Sequence, residues 1–531
     1  MKNNNHLIPI IAAIMLIAGL MLGSQLGVGD RMRSFGTSPS DGAKKLMDIF
    51  DVLEREYVDT IQKEALLEET ISNLLHQLDP HSNYIPAEEL LRMTESIEGS
   101  FEGVGVRFGI IRDTLCITNV IENSPAYKSG IQQYDQFIRV DDSLIAGIGL
   151  RNRDVQKLLK GPKGSSVRVE VLRDNVSKEI TIQRGSVPIR SLIAAHMITD
   201  EIGYIRLSEF SMTSDREFYQ AALKLMQQGM KRLIFDLRYN GGGVMGGAVN
   251  VADAFLEKGL PIVSTRGKRR GEEIEYSRNA PFLGDVTLVI LMNQNSASAS
   301  EIVAGAIQDN DRGVIVGRRS FGKGLVQQDI RLKDGSNLRL TTSRYYTPTG
   351  RSIQRPYSDD YESYIMDEMH RYERGELYQV DSTLFVDSLK FLTPQGRAVY
   401  GGGGIMPDVF VPLDTTGSSF FYRKLQYSSA FTDFAFDYTR KNRSIFANYS
   451  SPQEFYKDFR TKESVLDEFL TYAQTEHEIT LDKNGLNKSR QRIFTDVLAE
   501  IARQIWLEDG AIYVRNKYDT EFLKALEVVK D

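Results

Sequence analysis

The pattern of apolar residues predicts a multidomain α/β protein: an α/β core with an inserted, mostly β module and helical regions at both ends. Three observations carry this. The 531 residues are too many for one hydrophobic core, and 41% of them are hydrophobic, enough for several. From Gly203 to about Gln354 apolar strand candidates alternate with helical stretches. From Gly99 to Arg184 the texture is short β-branched runs between turn residues, while residues 43–98 and the 414–531 tail are dominated by helical spacing.

Charge and cysteine content exclude several classes. A net charge of −6 with scattered Lys and Arg gives no electrostatic reason to bind nucleic acid. The single cysteine, Cys116, rules out an intramolecular disulfide, and its apolar neighbours place it in a buried strand. No His, Asp or Cys cluster has metal-ligand spacing, so no metal or cofactor is expected.

At the start, Lys2 precedes an apolar run from Leu7 to Gly23 without a clear small-x-small cleavage site after it. Residues 1–30 are read as an uncleaved signal anchor, with the remaining chain in the cell envelope, in the periplasm or otherwise outside the cytoplasm. In the region 43–98, Leu46, Ile49, Phe50, Leu53 and Tyr57, then Leu67, Ile71, Leu74 and Leu78, keep helical spacing. Asp79-Pro80 ends that pattern, and Pro86 opens another short helix.

The next region, 99–186, has strand candidates at 115–120, 136–140, 167–172 and 178–182. Gly103-Val104-Gly105-Val106, followed by Ser124-Pro125-Ala126, Gly130 and Asp135, resembles a PDZ domain. The resemblance implies that an extended peptide adds as a strand to a sheet edge and that amides of residues 103–106 receive its terminal carboxylate. Read without it, those glycines are ordinary hairpin residues.

Between 187 and 413, the runs 233–237, 286–292 and 314–316 read as strands, and 218–230 and 302–309 as helices. Residues 357–404 are polar, aromatic and irregular, a strap-like segment before a last strand at 408–411. Three junctions carry chemistry. In Asn295-Ser296-Ala297-Ser298-Ala299-Ser300-Glu301, a serine lies where a strand gives way to a helix, so free amides and the helix dipole could stabilise an oxyanion. Plain helix capping explains the same serines. In Phe321-Gly322-Lys323-Gly324, a lysine among glycines and apolar residues can lose its charge on desolvation and act as a base; an exposed loop ammonium is the alternative. In Asp236-Leu237-Arg238-Tyr239-Asn240-Gly241-Gly242-Gly243, glycines after a strand let a backbone amide approach a substrate carbonyl. Gly241, Gly243 and Gly246 also satisfy a dinucleotide pattern, which leaves the Ser and Lys segments unexplained.

Together the segments resemble the carboxyl-terminal processing peptidases, from about Leu46 to Val411. The resemblance implies an α/β serine-peptidase core of the ClpP/crotonase-like kind, with Ser298 as nucleophile, Lys323 as general base, Gln327 orienting the lysine, and Gly243 and Ala299 donating to the oxyanion. Ser296 and Ser300 become supporting residues, and Glu301 favours the positive end of the helix dipole. The expected activity is a serine endopeptidase of envelope or exported proteins bound by their C-termini; the rival is a non-catalytic PDZ scaffold. The 414–531 tail has helical stripes and departs from short members of the family, leaving homo-oligomer contacts, partner docking and packing open.

Overall fold

The computed structural model describes residues 41–269, 271–357 and 361–531. The expected anchor, residues 1–30, lies outside them. Among the described residues no helix is long and apolar enough to cross a membrane. The chain divides after Leu74 into two units. The first holds α1 (Asp41–Glu56) and most of α2 (Lys63–His76), whose spacing is helical as predicted. On α1, Leu46, Met47, Ile49 and Val52 are exposed.

The second unit begins with a turn at Asp79–Ser82 and β1 (Asn83–Ile85), a strand inside the region read as wholly helical. Pro86 then caps α3 (Ala87–Glu98). The mostly β module follows: β2 (Ser100–Gly103), β3 (Val106–Ile111), β4 (Thr114–Val120), α4 (Pro125–Lys128), β5 (Gln136–Val140), β6 (Ser143–Leu144), α5 (Asn152–Leu159), β7 (Ser166–Arg173), β8 (Val176–Gln183) and β9 (Gly185–Pro188). Its sheet runs β3-β4-β5-β7-β8. Cys116 is buried in β4, and burial pushes its thiol up to about 11, so it is inert at neutral pH.

The core comprises β10 (Leu192–Met197), β11 (Ile202–Leu207), α6 (Ser214–Gln227), β12 (Arg232–Asp236), α7 (Met245–Asp253), β13 (Pro261–Gly267), β14 (Glu272–Tyr276), β15 (Thr287–Met292), α8 (Ala299–Asp309), β16 (Val314–Gly317), β17 (Leu325–Arg331) and β18 (Asn337–Tyr346). After α9 (Tyr361–Ile365), α10 (Asp367–Glu373) and the small hairpin β19 (Lys390–Leu392) and β20 (Ala398–Tyr400), β21 (Val409–Phe410) closes the main sheet. Its order is β10-β11-β12-β15-β16-β21, parallel from β11 onward. Strands Leu-Ile-Phe and Leu-Val-Ile-Leu read as unbroken apolar runs because both faces of a parallel sheet are covered.

One face packs on α6, α7 and α8 through Phe218, Leu225, Val251, Val303 and Ile307. The other face is covered by the tail: Ile512, Phe522, Ala525 and Val529 meet Tyr204, Ile234, Leu291 and Val316. The tail consists of α11 (Phe420–Tyr427), α12 (Ala430–Lys441), α13 (Arg443–Phe446), α14 (Pro452–Phe459), α15 (Glu463–His477), α16 (Lys483–Arg515) and α17 (Thr520–Val528). Its last helix is thus a layer of the core. Glu521 in the first turn of α17 accepts from Arg318 (2.5 Å) and Arg238 (3.2 Å), and Arg238 also donates to Asp519 and Asp236 (both 2.7 Å). Apart from the partly buried Asp519, these are buried, multiply bonded charges, the form in which ion pairs are tolerated inside a fold.

Candidate active site

The three glycine- and serine-rich segments each leave the carboxyl end of a strand in the parallel sheet: β12, β15 and β16. Adjacent parallel strands put those ends on one edge, where α/β folds build their sites. A cavity of about 1000 Å³ opens there, and Ser298, Lys323, Gln327 and Gly243 all line it.

Ser298 stands at the N-cap of α8 with φ 55° and ψ −112°. Such angles are costly for a residue with a Cβ, about 1–3 kcal/mol, and persist only where the surroundings enforce them. The enforcement is visible. Ser296 Oγ donates to the Leu237 carbonyl (2.8 Å) and accepts from Asn293 N–H (3.0 Å), while Ser300 Oγ donates to the Asn240 carbonyl (2.9 Å). These two serines staple the turn to the glycine-rich loop, the supporting role expected of them.

Gly243 has φ 136°, and a Cβ there would lie 2.1 Å from the Phe210 carbonyl oxygen, so only glycine fits. Neither the Gly243 N–H nor the Ala299 N–H donates to another described residue. Ala299 is the first helical residue, where an intrahelical partner is impossible.

Lys323 is partly buried beside the cavity and makes no ion pair among the described residues. Burial is the main force that lowers its pKa to about 8; the Arg339 charge adds to it, against the opposing pull of Glu301 and Asp79. No hydrogen bond joins Ser298 to Lys323 among the described residues, an arrangement common before substrate tightens a site. Gln327 sits on β17 immediately after a bulge in its pairing with β18, which re-aims its side chain. Its Nε2 donates to Thr341 Oγ1 (3.3 Å), whose hydroxyl donates to Asp79 (3.0 Å).

Comparison with known proteins points to one family. The family model for peptidase family S41 matches residues 201–363, a PDZ model matches 103–183, and a family of unknown function matches 421–508. A carboxy-terminal-processing protease of Bartonella bacilliformis is 36% identical over 354 residues, covering 64% of this chain and 80% of its own. The chain belongs to the carboxy-terminal-processing serine peptidases of family S41. A probable CtpA-like serine protease of Staphylococcus haemolyticus is 30% identical, covering 66% of this chain and 71% of its own. Among solved structures, the photosystem II D1 C-terminal processing protease matches at 25% identity with a TM-score of 0.35, covering 70% of this chain and 94% of that one.

Two further residues of the peptidase cross-brace the Ser and Lys segments. Glu301, read from the sequence only as a helix-dipole partner, is buried, and its carboxylate accepts from the N–H groups of Ser298 (2.7 Å), Gly322 (2.7 Å) and Lys323 (2.9 Å) and from Ser320 Oγ (2.5 Å). Burial holds its pKa above the ordinary carboxylate value, although all four donors oppose this. The Tyr345 hydroxyl lies within hydrogen-bond reach of the Ser298 and Lys323 carbonyl oxygens. A carboxylate four-fold saturated by donors from two separate loops has no signature in either loop's sequence. His81 lies near Lys323, and burial, then the Lys323 charge, push it down to about 3. It contacts Tyr364 (2.7 Å) and stands outside the lining of the cavity.

In the PDZ module, Gly103–Val106 joins the last residue of β2 to the first of β3. Ala126 N–H donates to the Val104 carbonyl (2.7 Å) and Ser124 Oγ to that of Gly105 (3.0 Å), so Ser-Pro-Ala clamps the loop. Gly105 has φ 83°, and a Cβ there would lie 2.3 Å from Ser124 Cβ.

Proposed function

We propose that the peptidase cleaves by a Ser298–Lys323 dyad. The observation that carries the reading is the strained backbone of Ser298, held at a helix N-terminus on the wall of the cavity that Lys323 also lines. Neutral Lys323 Nζ takes the Ser298 Oγ proton as Oγ adds to the scissile carbonyl carbon. The oxyanion rests on the Gly243 and Ala299 N–H groups. Collapse breaks the C–N bond, the leaving amine takes the proton from Lys323, and water repeats the sequence on the acyl-enzyme. Gln327, fixed through Thr341 to Asp79, orients the lysine.

The PDZ module binds the substrate's terminal carboxylate at the Gly103–Val106 amides, with the peptide added as a strand. The substrates are exported or envelope proteins, and residues 1–30 anchor the enzyme in the membrane with its catalytic part outside the cytoplasm; the apolar run from Leu7 supports this. The test of the chemistry is a serine-directed phosphonate. Mass spectrometry should locate one adduct on Ser298, abolished by preincubation with substrate. An adduct on Ser296 or Ser300 instead would move the nucleophile and defeat the assignment.

A further inference from the structure

In the PDZ sheet, β3 pairs with β4 along one side and has no strand on the other among the described residues. Val106, Phe108 and Ile110 face the apolar interior with Val155 and Leu159 of α5. By strand alternation Arg107, Gly109 and Ile111 face the opposite way. That outer side is covered by the tail. Phe436 packs with Ile111 and Cys116, Arg112 makes a two-pronged ion pair with Asp437 (2.7 and 3.0 Å), and Gln133 Nε2 donates to the Gln504 carbonyl (2.7 Å).

Between them a cavity of about 460 Å³ runs along all of β3, bounded on the tail side by Thr432, Arg503, Gln504 and Leu507 among others. Two features of its tail wall are unspent. Gln504 is 6% exposed, yet its Oε1 has no hydrogen-bond partner among the described residues, a costly state for a buried acceptor. Leu507, at a break in α16, has φ 57° and ψ −145°, strained for a bulky side chain.

We propose that the C-terminal helical region is the second wall of the peptide groove. A C-terminal segment added to β3 turns alternate side chains to the apolar face and to the tail. On the tail side Gln504 Oε1 accepts a hydrogen bond from a substrate side chain that carries an O–H or N–H. Specificity is then read on both faces of the bound strand, one by the PDZ module and one by the tail. This rests on the carboxylate recognition proposed above.

The test uses the full chain carrying Ser298→Ala, so that peptides persist, and fluorescence anisotropy with labelled alanine-rich decapeptides. One serine is moved through the five C-terminal positions, each peptide as free acid and as amide. Serine should strengthen binding about 2- to 10-fold, the range of one net hydrogen bond, only at positions two apart, and the gain should vanish in Gln504→Leu. Thr432→Arg, an exposed site whose side chain would fill the cavity, should weaken every free-acid peptide at least about tenfold by steric exclusion. A serine effect without alternation, one kept in Gln504→Leu, or full affinity in Thr432→Arg overturns the proposal while free acids still bind better than amides. Equal binding of acids and amides removes the carboxylate reading, and this proposal with it.

Discussion

The proposed Lys323 base makes a quantitative demand on pH. With its pKa lowered to about 8, roughly a tenth of Lys323 is neutral at pH 7; at the ordinary lysine value only about 0.03% would be, a difference of ~300-fold in competent enzyme. The rate kcat/KM on an unstructured protein substrate should therefore rise about tenfold from pH 7 to a plateau above pH 9, along one deprotonation near pH 8. His81 is neutral throughout that range, so His81→Gln should leave the midpoint in place. Lys323→Arg should be inactive, since a guanidinium cannot accept the serine proton. The same shift has a stability cost of ~3 kcal/mol, present in full below pH 8, because the folded chain must hold a desolvated ammonium. The unfolded chain binds the extra proton between pH 8 and 10.5, so folding stability gains with pH across that window. Lys323→Met should raise stability to urea at pH 7 by up to that amount, and the gain should shrink toward pH 10.5. A flat pH profile, or a limb near pH 6.5 that moves in His81→Gln, would refute the lysine base.

Gly243→Ala should lose activity and at least about 2 kcal/mol of stability, because the new methyl would overlap the Phe210 carbonyl; kinetics and a urea melt read both. Gln327→Ala should keep some activity with kcat reduced more than KM is raised, and Thr341→Val should shift kcat in the same direction by less, since it removes only the support of Gln327. Glu521→Gln should cost about 3 kcal/mol in denaturant unfolding, because it leaves the guanidiniums of Arg238 and Arg318 under-compensated in a buried place.

The sequence by itself determined the local structure and the chemical parts. Apolar runs flanked by glycine and serine marked β12, β15 and β16, and the strand ends that follow them carry Ser298, Lys323 and the glycine-rich loop. Short-range signals of this kind are legible because strand periodicity and turn chemistry act over a few residues. The strand β1 was missed because three residues in a helical region carry too little pattern, and its pairing with β18 is a contact far along the chain. Only the tertiary structure decided what the 414–531 tail does. Its stripes announced burial, but a stripe does not name its partner; the partners are the open face of the core sheet for α17 and the outer face of the PDZ module for α12 and α16. Glu301 and Tyr345 were hidden for the same reason. Their hydrogen bonds join loops more than twenty residues apart, and a buried polar group finds its partners from the folded surroundings, not from its neighbours in sequence.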